Sequence, residues 1–403
     1  MNERALASIV ASLGKLSLRW RNRRYSFRRK AVKRLVRASG FSANMAEAMM
    51  DAVFGELTEA KLWKLLKSEL KDPFVLDGFK KGSRARGPAG ILHIFAANAP
   101  QAPVLSFVLG MLLKSRNVGK LSARDAGFLD IYLQSLRTAD RPLWRTNQLI
   151  GAKDRAALSA CAKKAELVVA YGSEESLEGI RKQVPASTPF FAYGHRVSAA
   201  LYSKEALNGK NAVLAARDVW MADQRGCLSP VTLYVQKGGR LSPEKFAVRV
   251  AGGLHKLQSG EKGSPRRGMA EAAAAQSFRD RHAMQKLKGR RSAFWESSPR
   301  GLWTVLYEED LKPSLAVSSQ LIVVKGYKNA SQVLSALKPF QQYLQCVALE
   351  CTANDRKKLA EKLSALGVNR ICRAGKMQHP PVTWHHDGKL NLASWIRWTD
   401  LEE

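Results

Sequence analysis

At 403 residues the chain is long enough for two or three domains of about 150 residues each. Its 45% hydrophobic and 25% charged residues exclude disordered, collagen-like and disulfide-scaffold proteins. Lys and Arg outnumber Asp and Glu by 66 to 34, a net charge of +32 that favours polyanionic partners: nucleic acid, anionic lipid, or phosphate-bearing cofactors and carriers. Five cysteines (161, 227, 346, 351, 372) include no Cys-x-x-Cys pair, which sets aside a zinc ribbon and suits a reducing cytoplasm. Met1-Asn2-Glu3-Arg4 begins no basic and apolar leader of the secretory kind, so export is not expected.

Between Lys15 and Arg37 stand eleven Lys or Arg and no acid, interleaved with Leu16, Leu18, Trp20, Tyr25, Phe27, Val32, Leu35 and Val36. Three readings compete: a basic helical surface or arm, a nucleic-acid contact, or peripheral contact with an anionic membrane. No RNP1 motif, zinc-finger spacing or basic-zipper heptad accompanies it, which weakens the nucleic-acid reading. Leu62, Leu66 and Leu70, one turn apart behind Thr58-Glu59, predict a helix. Lys80 to Gly90, rich in Lys, Arg, Gly, Ser and Pro, reads as a flexible connector and a domain boundary.

Ile91 to Leu113 imitates a membrane span, but His93, Asn98, Pro100, Gln101 and Pro103 make it strand, turn and helix instead. The pattern predicts a strand at Ile91–Ala97, a helix at Val104–Lys114, a short strand near Val118 and a helix from Ser122 through Arg137. It then repeats: strand Glu166–Ala170, helix Ser173–Gln183 opening on Gly172, and strand Phe190–Tyr193. Alternation of this kind predicts an α/β protein with a parallel sheet. Val197 to Leu337 mixes strands and helices, and strands at Leu321–Val324 and Cys346–Leu349 with a helix at Asp355–Leu366 close the pattern.

No familiar glycine loop is present. Gly119-Lys120 fails as a P-loop, because Leu121 takes the Ser/Thr place and Lys114 that of the leading glycine. What remains is Tyr171-Gly172-Ser173, a strand end opening a helix, where free N–H groups can meet a phosphate or simply cap. Cys227, in Asp223-Gln224-Arg225-Gly226-Cys227-Leu228-Ser229-Pro230, sits in a turn that exposes a thiol, with Arg225 beside it to favour the thiolate. A buried, inert cysteine is the alternative. His385-His386-Asp387 has no partner at metal-ligand spacing and reads as a surface loop over Trp384–Gly388.

Taken in order, these segments resemble the LuxC-type fatty acyl-CoA reductases, a branch of the aldehyde dehydrogenase superfamily. The landmarks are Glu69-Leu-Lys-Asp-Pro with Leu76-Asp-Gly-Phe79, His93-Ile-Phe-Ala-Ala-Asn98-Ala-Pro100, and Asn117-Val-Gly-Lys120-Leu-Ser122. Then come Ala170-Tyr-Gly172, Tyr193-Gly194, Ser198, Asp218, Asp223-Gln224, Cys227, Ser229-Pro230 and Gly367-Val-Asn-Arg370. The resemblance implies an aldehyde dehydrogenase-like α/β fold: a variant Rossmann cofactor domain, an α/β catalytic domain with a nucleophilic Cys, and a helical basic N-terminal segment. The expected domains are residues 1–88 (basic arm and helical region), 89–195 (dinucleotide binding), 196–375 (catalytic) and 376–403, a C-terminal segment with the option of returning to the cofactor domain.

By the same resemblance, Cys227 attacks an acyl-CoA or acyl-carrier thioester and holds the acyl group. Hydride from a nicotinamide then releases the aldehyde, and the Cys227 N–H and Asn98 side chain receive the oxyanion. Lys120 and Ser122 match the adenosine-ribose motif, Gly172 and Ser173 the pyrophosphate turn, and Tyr193-Gly194 the pair that follows the superfamily's acidic base. That base falls at Ala192, which favours thioester reduction over aldehyde oxidation, and His195 is the candidate proton donor. Ala123 replaces the ribose-binding acid and Arg124 follows it, so NADPH rather than NADH is expected, with no metal. Leu121 departs from the superfamily's proline. Self-association is implied too. The competing functions are an ordinary aldehyde dehydrogenase, disfavoured by Ala192, and an inactive basic protein binding nucleic acid or a membrane surface.

Overall fold

The computed structural model describes residues 4–96, 102–122, 127–260, 269–287, 292–298, 302–314 and 320–402. They fall into two compact units, the first from Met1–Ser39, Ala46–His195 and Pro381–Glu403, the second from Gly40–Met45 and Arg196–Pro380.

The first unit opens its strands with β1 (Ser83–Arg86), followed by β2 (Gly90–Ile94), β3 (Arg116–Lys120), β4 (Asn147–Ile150), β5 (Leu167–Tyr171) and β6 (Phe190–Tyr193). The last five form a wholly parallel sheet in the order β4-β3-β2-β5-β6. Helices Ala102–Leu112, Phe128–Ala139, Arg155–Lys164 and Glu174–Arg181 make the crossovers. β2 and β5 are central, which is why Leu92 and Val168-Val169-Ala170 are almost unexposed. The strand order reverses between them, so the ligand crevice of such a sheet lies at their carboxyl ends.

One polar chain runs through this apolar sheet. His93 accepts at Nδ1 from Ser106 Oγ (2.8 Å) and donates from Nε2 to Asn117 Oδ1 (3.0 Å), and Asn117 Nδ2 donates to Asn147 Oδ1 (2.8 Å). Burial pushes the His93 imidazole down to about 4 against the favourable Asn117 bond, so it is held neutral. The crossover helix approaches so closely that a Cβ at Gly110 would lie 1.9 Å from Asn117 Oδ1, a contact only glycine permits.

The basic N-terminal stretch is folded into this unit as helices Leu6–Arg21 and Ser26–Ser39. Leu16, Trp20, Ala31 and Leu35 face inward, and Trp20 stacks on Phe54 at 4.7 Å while its Nε1 donates to Ser135 at 2.9 Å. Of the eleven cations, Arg28 is buried, donating to Glu47 and Asp51 at 2.7 Å and to the Trp20 carbonyl at 2.8 Å. The other ten are exposed.

The second unit is a seven-stranded sheet of β7 (Val197–Tyr202), β8 (Pro230–Gln236), β9 (Ser292–Glu296), β10 (Thr304–Glu308), β11 (Leu321–Tyr327), β12 (Leu344–Glu350) and β13 (Arg370–Cys372). The order is β13-β12-β7-β8-β11-β10-β9, parallel except for β9 against β10. The α/β class, the parallel sheets and the helical N-terminal segment expected from the sequence are all present.

Beyond Pro381 the chain belongs to the first unit, where β14 (Arg397–Asp400) pairs antiparallel with β1. This corrects the expectation of a flexible connector over Lys80–Gly90. β1 carries one apolar residue, Ala85, and its partner lies more than 300 residues away, so no local alternation betrays it. The same return is pinned by Glu69, whose carboxylate accepts the N–H groups of Asn391, Leu392 and Ala393 at 2.9, 2.7 and 3.0 Å. Among the described residues no helix is long and apolar enough to cross a membrane.

Candidate active site

In the second unit, helix Gly209–Trp220 buries Ala212, Ala215, Ala216 and Val219 and delivers the chain to the cysteine turn. Three successive non-glycine residues, Ala222, Asp223 and Gln224, then take φ of 55, 52 and 58°. Each left-handed residue costs roughly 1–2 kcal/mol, so the surroundings must enforce the conformation. Gln224 Nε2 donates to the carbonyls of Pro230 (2.8 Å) and Leu321 (2.9 Å), and Gln320 Nε2 donates to the buried Asp223 at 2.9 Å. Strain of this kind concentrates where chemistry requires a fixed geometry.

Immediately beyond, Ser229 N–H closes a turn on the Gly226 carbonyl at 3.0 Å, with the half-buried Cys227, which is in no disulfide, at its head. Ser198 Oγ donates to the Cys227 carbonyl (2.7 Å) and Gln378 Nε2 to Ser229 Oγ (2.7 Å). Arg225 pairs with Asp223 at 3.1 Å and lies over the Phe41 ring at 5.3 Å. The Gln378 segment is itself anchored by Asp218, which accepts from Gly375 N–H (2.6 Å) and Met377 N–H (3.1 Å). Burial pushes the Asp218 carboxyl up to about 7 against these donors and the nearby Arg370 and Arg217.

In the first unit, Lys120 ends β3, Tyr171 ends β5 with Gly172-Ser173 following, and Tyr193 ends β6 with Gly194 following, all on the carboxyl edge of one parallel sheet. Ser122, half-buried, lies two residues beyond Lys120. Ser173 Oγ caps the next helix, accepting Ser176 N–H at 3.3 Å, and Gly172 N–H donates to the Tyr193 carbonyl at 3.2 Å. Glu174 and Glu175 occupy that helix's first turn and already complement its positive end, so an anion at this turn meets competing charge. His195 is exposed just after β6, and Ala192 is exposed within it. Asn98 and Arg124 lie outside the described residues.

The His385-His386-Asp387 segment has more structure than a surface loop. His386 stacks on Tyr193 at 4.3 Å with 7° between planes, Tyr193 on Tyr171 at 4.8 Å, and Trp384 lies 4.9 Å from His386. Burial, with Tyr171 and Asp387 adding to it, pushes the Tyr193 phenol far above its ordinary range. Among the described residues no three His, Cys, Asp or Glu side chains gather to hold a metal.

Sequence reasoning gave Ser198 and Asp218 no role and did not find Gln378. Gln378 reaches a serine 149 residues away, a pairing without local signal.

Two α/β units, one with a switch-point parallel sheet and one presenting a gripped cysteine, make up a fold like that of the aldehyde dehydrogenases. A benzaldehyde dehydrogenase from Corynebacterium glutamicum, described as NAD-dependent, superposes with a TM-score of 0.72 at 10% identity, over 99% of this chain and 86% of that one. Betaine aldehyde dehydrogenase from Staphylococcus aureus, solved with NAD+, gives 0.73 at 13%, over 99% and 82%. The chain belongs to the acyl-CoA reductase (LuxC) family, whose profile matches residues 1–398. Among its relatives, the long-chain acyl-protein thioester reductase of Vibrio harveyi is 22% identical over all of this chain and 84% of that one. The Photorhabdus luminescens protein of the same description is 26% identical over 58% of this chain, a match that spans 51% of that relative's length.

Proposed function

We propose that this protein reduces a long-chain acyl thioester, carried on CoA or a carrier protein, to the aldehyde with NADPH, through a thioester on Cys227. The strained and doubly gripped Cys227 turn is the observation that carries this reading. The Cys227 thiolate attacks the acyl carbonyl, the carrier thiol leaves, and the acyl group remains on sulfur. The Cys227 N–H is the proposed donor to the developing oxyanion, with Asn98 as the second donor named by the resemblance.

The first unit's carboxyl edge fits a nicotinamide dinucleotide. It lies at the sheet's switch point and presents Lys120, Ser122, the Gly172-Ser173 turn and the Tyr193-Gly194 strand end. When bound, the nicotinamide supplies the hydride. Arg124, with Ala123 in the place of a ribose-binding acid, favours the 2′-phosphate of NADPH. Ala192 offers no carboxylate to activate water, so the acyl group leaves reduced rather than hydrolysed. His195 is the proposed proton donor. Self-association is proposed by family resemblance.

The test is NADPH oxidation with acyl-CoAs of graded length, beside Cys227→Ala, with released CoA thiol counted in parallel. Matched loss of NADPH and release of CoA, absent in the variant, supports the reading. No turnover with any CoA or carrier-linked donor by the folded protein defeats it.

A membrane role is favoured by one further observation. Ten exposed cations of the two N-terminal helices and the turn between them accompany Leu18 and Val36, which are 57% and 36% exposed. Sedimentation with anionic vesicles, weakening as salt rises, tests that contact.

A further inference from the structure

Ser198 stands where the second unit's sheet is irregular on both sides. From Val197 to Ala199 β7 advances two residues, while its partner β12 advances three, from Leu344 to Val347. From Ser198 to Ala199 β7 advances one residue, while β8 advances two, from Pro230 to Thr232. An extra residue on each flank interrupts both ladders, and Pro230 brings no N–H of its own. Backbone groups here must therefore find partners outside the ladder.

The Ser198 hydroxyl supplies them. It accepts the Cys346 N–H from the β12 irregularity at 3.2 Å and donates to the Cys227 carbonyl at 2.7 Å. Ser198 is 1% exposed, so water does not stand in for either bond. Because the hydroxyl accepts from one side, its proton is directed to the other, and the Cys227 carbonyl is held in one orientation. That carbonyl is bonded to the α-carbon that bears the thiol, so holding it restrains rotation about the Cα–C bond and steadies the direction of the Cα–Cβ bond.

We infer that Ser198 is a positioning residue for Cys227, tying the nucleophile's backbone to β12 so that the sulfur is aligned before an acyl group arrives. The inference rests on the reading of Cys227 as nucleophile. Gln378 grips the same turn at Ser229, but only Ser198 touches Cys227 itself among these two. A hydroxyl rather than a methyl is what the position requires.

The experiment uses the full chain and measures acyl-enzyme formation by rapid quench with labelled long-chain acyl-CoA, without dinucleotide. Ser198→Thr and Ser198→Val have the same shape and differ in the hydroxyl. Misplacing a reacting atom by about 1 Å costs on the order of 100-fold, so the Val variant should acylate about 10- to 100-fold more slowly than the Thr variant. The amplitude, which counts competent sites, should stay full, and dinucleotide binding should not change. If Val fails to fold, Ser198→Ala against wild type makes the same comparison.

Equal rate constants in the pair, or a loss confined to amplitude, overturn the inference, because a merely structural serine changes how many sites survive and not how fast each reacts. Cys227→Ala separates the two readings. If it still becomes acylated, the nucleophile assignment falls and this inference with it. If it does not and the Ser198 pair is equal, this inference alone falls.

Discussion

The cysteine turn of the second unit and the Gly172-Ser173 turn of the first both sit at sheet edges, and they are held in opposite ways. Around Cys227 the backbone is forced into three left-handed residues and gripped by Gln224, Ser198 and Gln378, side chains that reach across strands and distant segments. Around Gly172 no residue is left-handed, and Ser173 caps its own helix three residues on. A single sulfur that must meet a carbonyl carbon tolerates little displacement, so its support is long-range and rigid. A turn that engages a ligand through several backbone groups functions with local support.

Four experiments test that contrast. The largest effect is expected of Cys227→Ala, which should remove acyl-enzyme and aldehyde formation by more than about 10⁴-fold, read as CoA release. Turnover in that variant would strip the gripped turn of its purpose. Asn98→Ala should lower the rate by about 10²- to 10³-fold with little change in dinucleotide binding, as expected of one oxyanion donor.

Next comes His93, which tests whether the first unit's rigidity lies in its sheet instead of its turn. Its folded value of about 4 lies below the ordinary 6.5, so below pH 6.5 the unfolded chain takes up a proton that the folded unit refuses. Stability should therefore fall as pH drops from about 6.5 to 4, by about 3 kcal/mol in all. Melting curves against pH check this, and His93→Gln should flatten that slope. The smallest effect is expected of Gly172→Ala. Its Cβ would meet Ser176 Cβ at 3.4 Å, so the KM for the dinucleotide should rise only about two- to fivefold. A collapse of binding would show that this turn is as exacting as the other.

Much of the scaffold was legible in the sequence because its central strands are buried on both faces and read as apolar runs. The runs at 321–324 and 346–349 lie on strands, that at 166–170 falls one residue ahead of Leu167–Tyr171, and the aromatic edge strand Phe190–Tyr193 was placed to the residue. Helix Arg155–Lys164, which buries only Ala162, showed no apolar run and was legible only as a helix-like Ala/Lys segment around Cys161. β1 was hidden by its polar sequence and remote partner, and Arg28 looked like one more surface cation while carrying a core ion pair. At the cysteine turn the local residues were visible but their partners were not. The adjacency of Arg225 to the thiol was legible in sequence, but its ion pair with the buried Asp223 was not.

The first unit is assembled from three stretches of chain, and its last strand, β14, ends at Asp400. All seven strands of the second unit have been made by Cys372. During synthesis, at about 5–20 residues per second, the later unit in the sequence can therefore finish before the earlier one. Until Asn391 to Ala393 reach Glu69 and β14 reaches β1, the nascent first unit has a waiting carboxylate and an unpaired strand. Its maturation waits for synthesis of residues 381–402, about 1–4 s at that rate, a delay that synonymous codon changes there would lengthen or shorten without altering a single side chain.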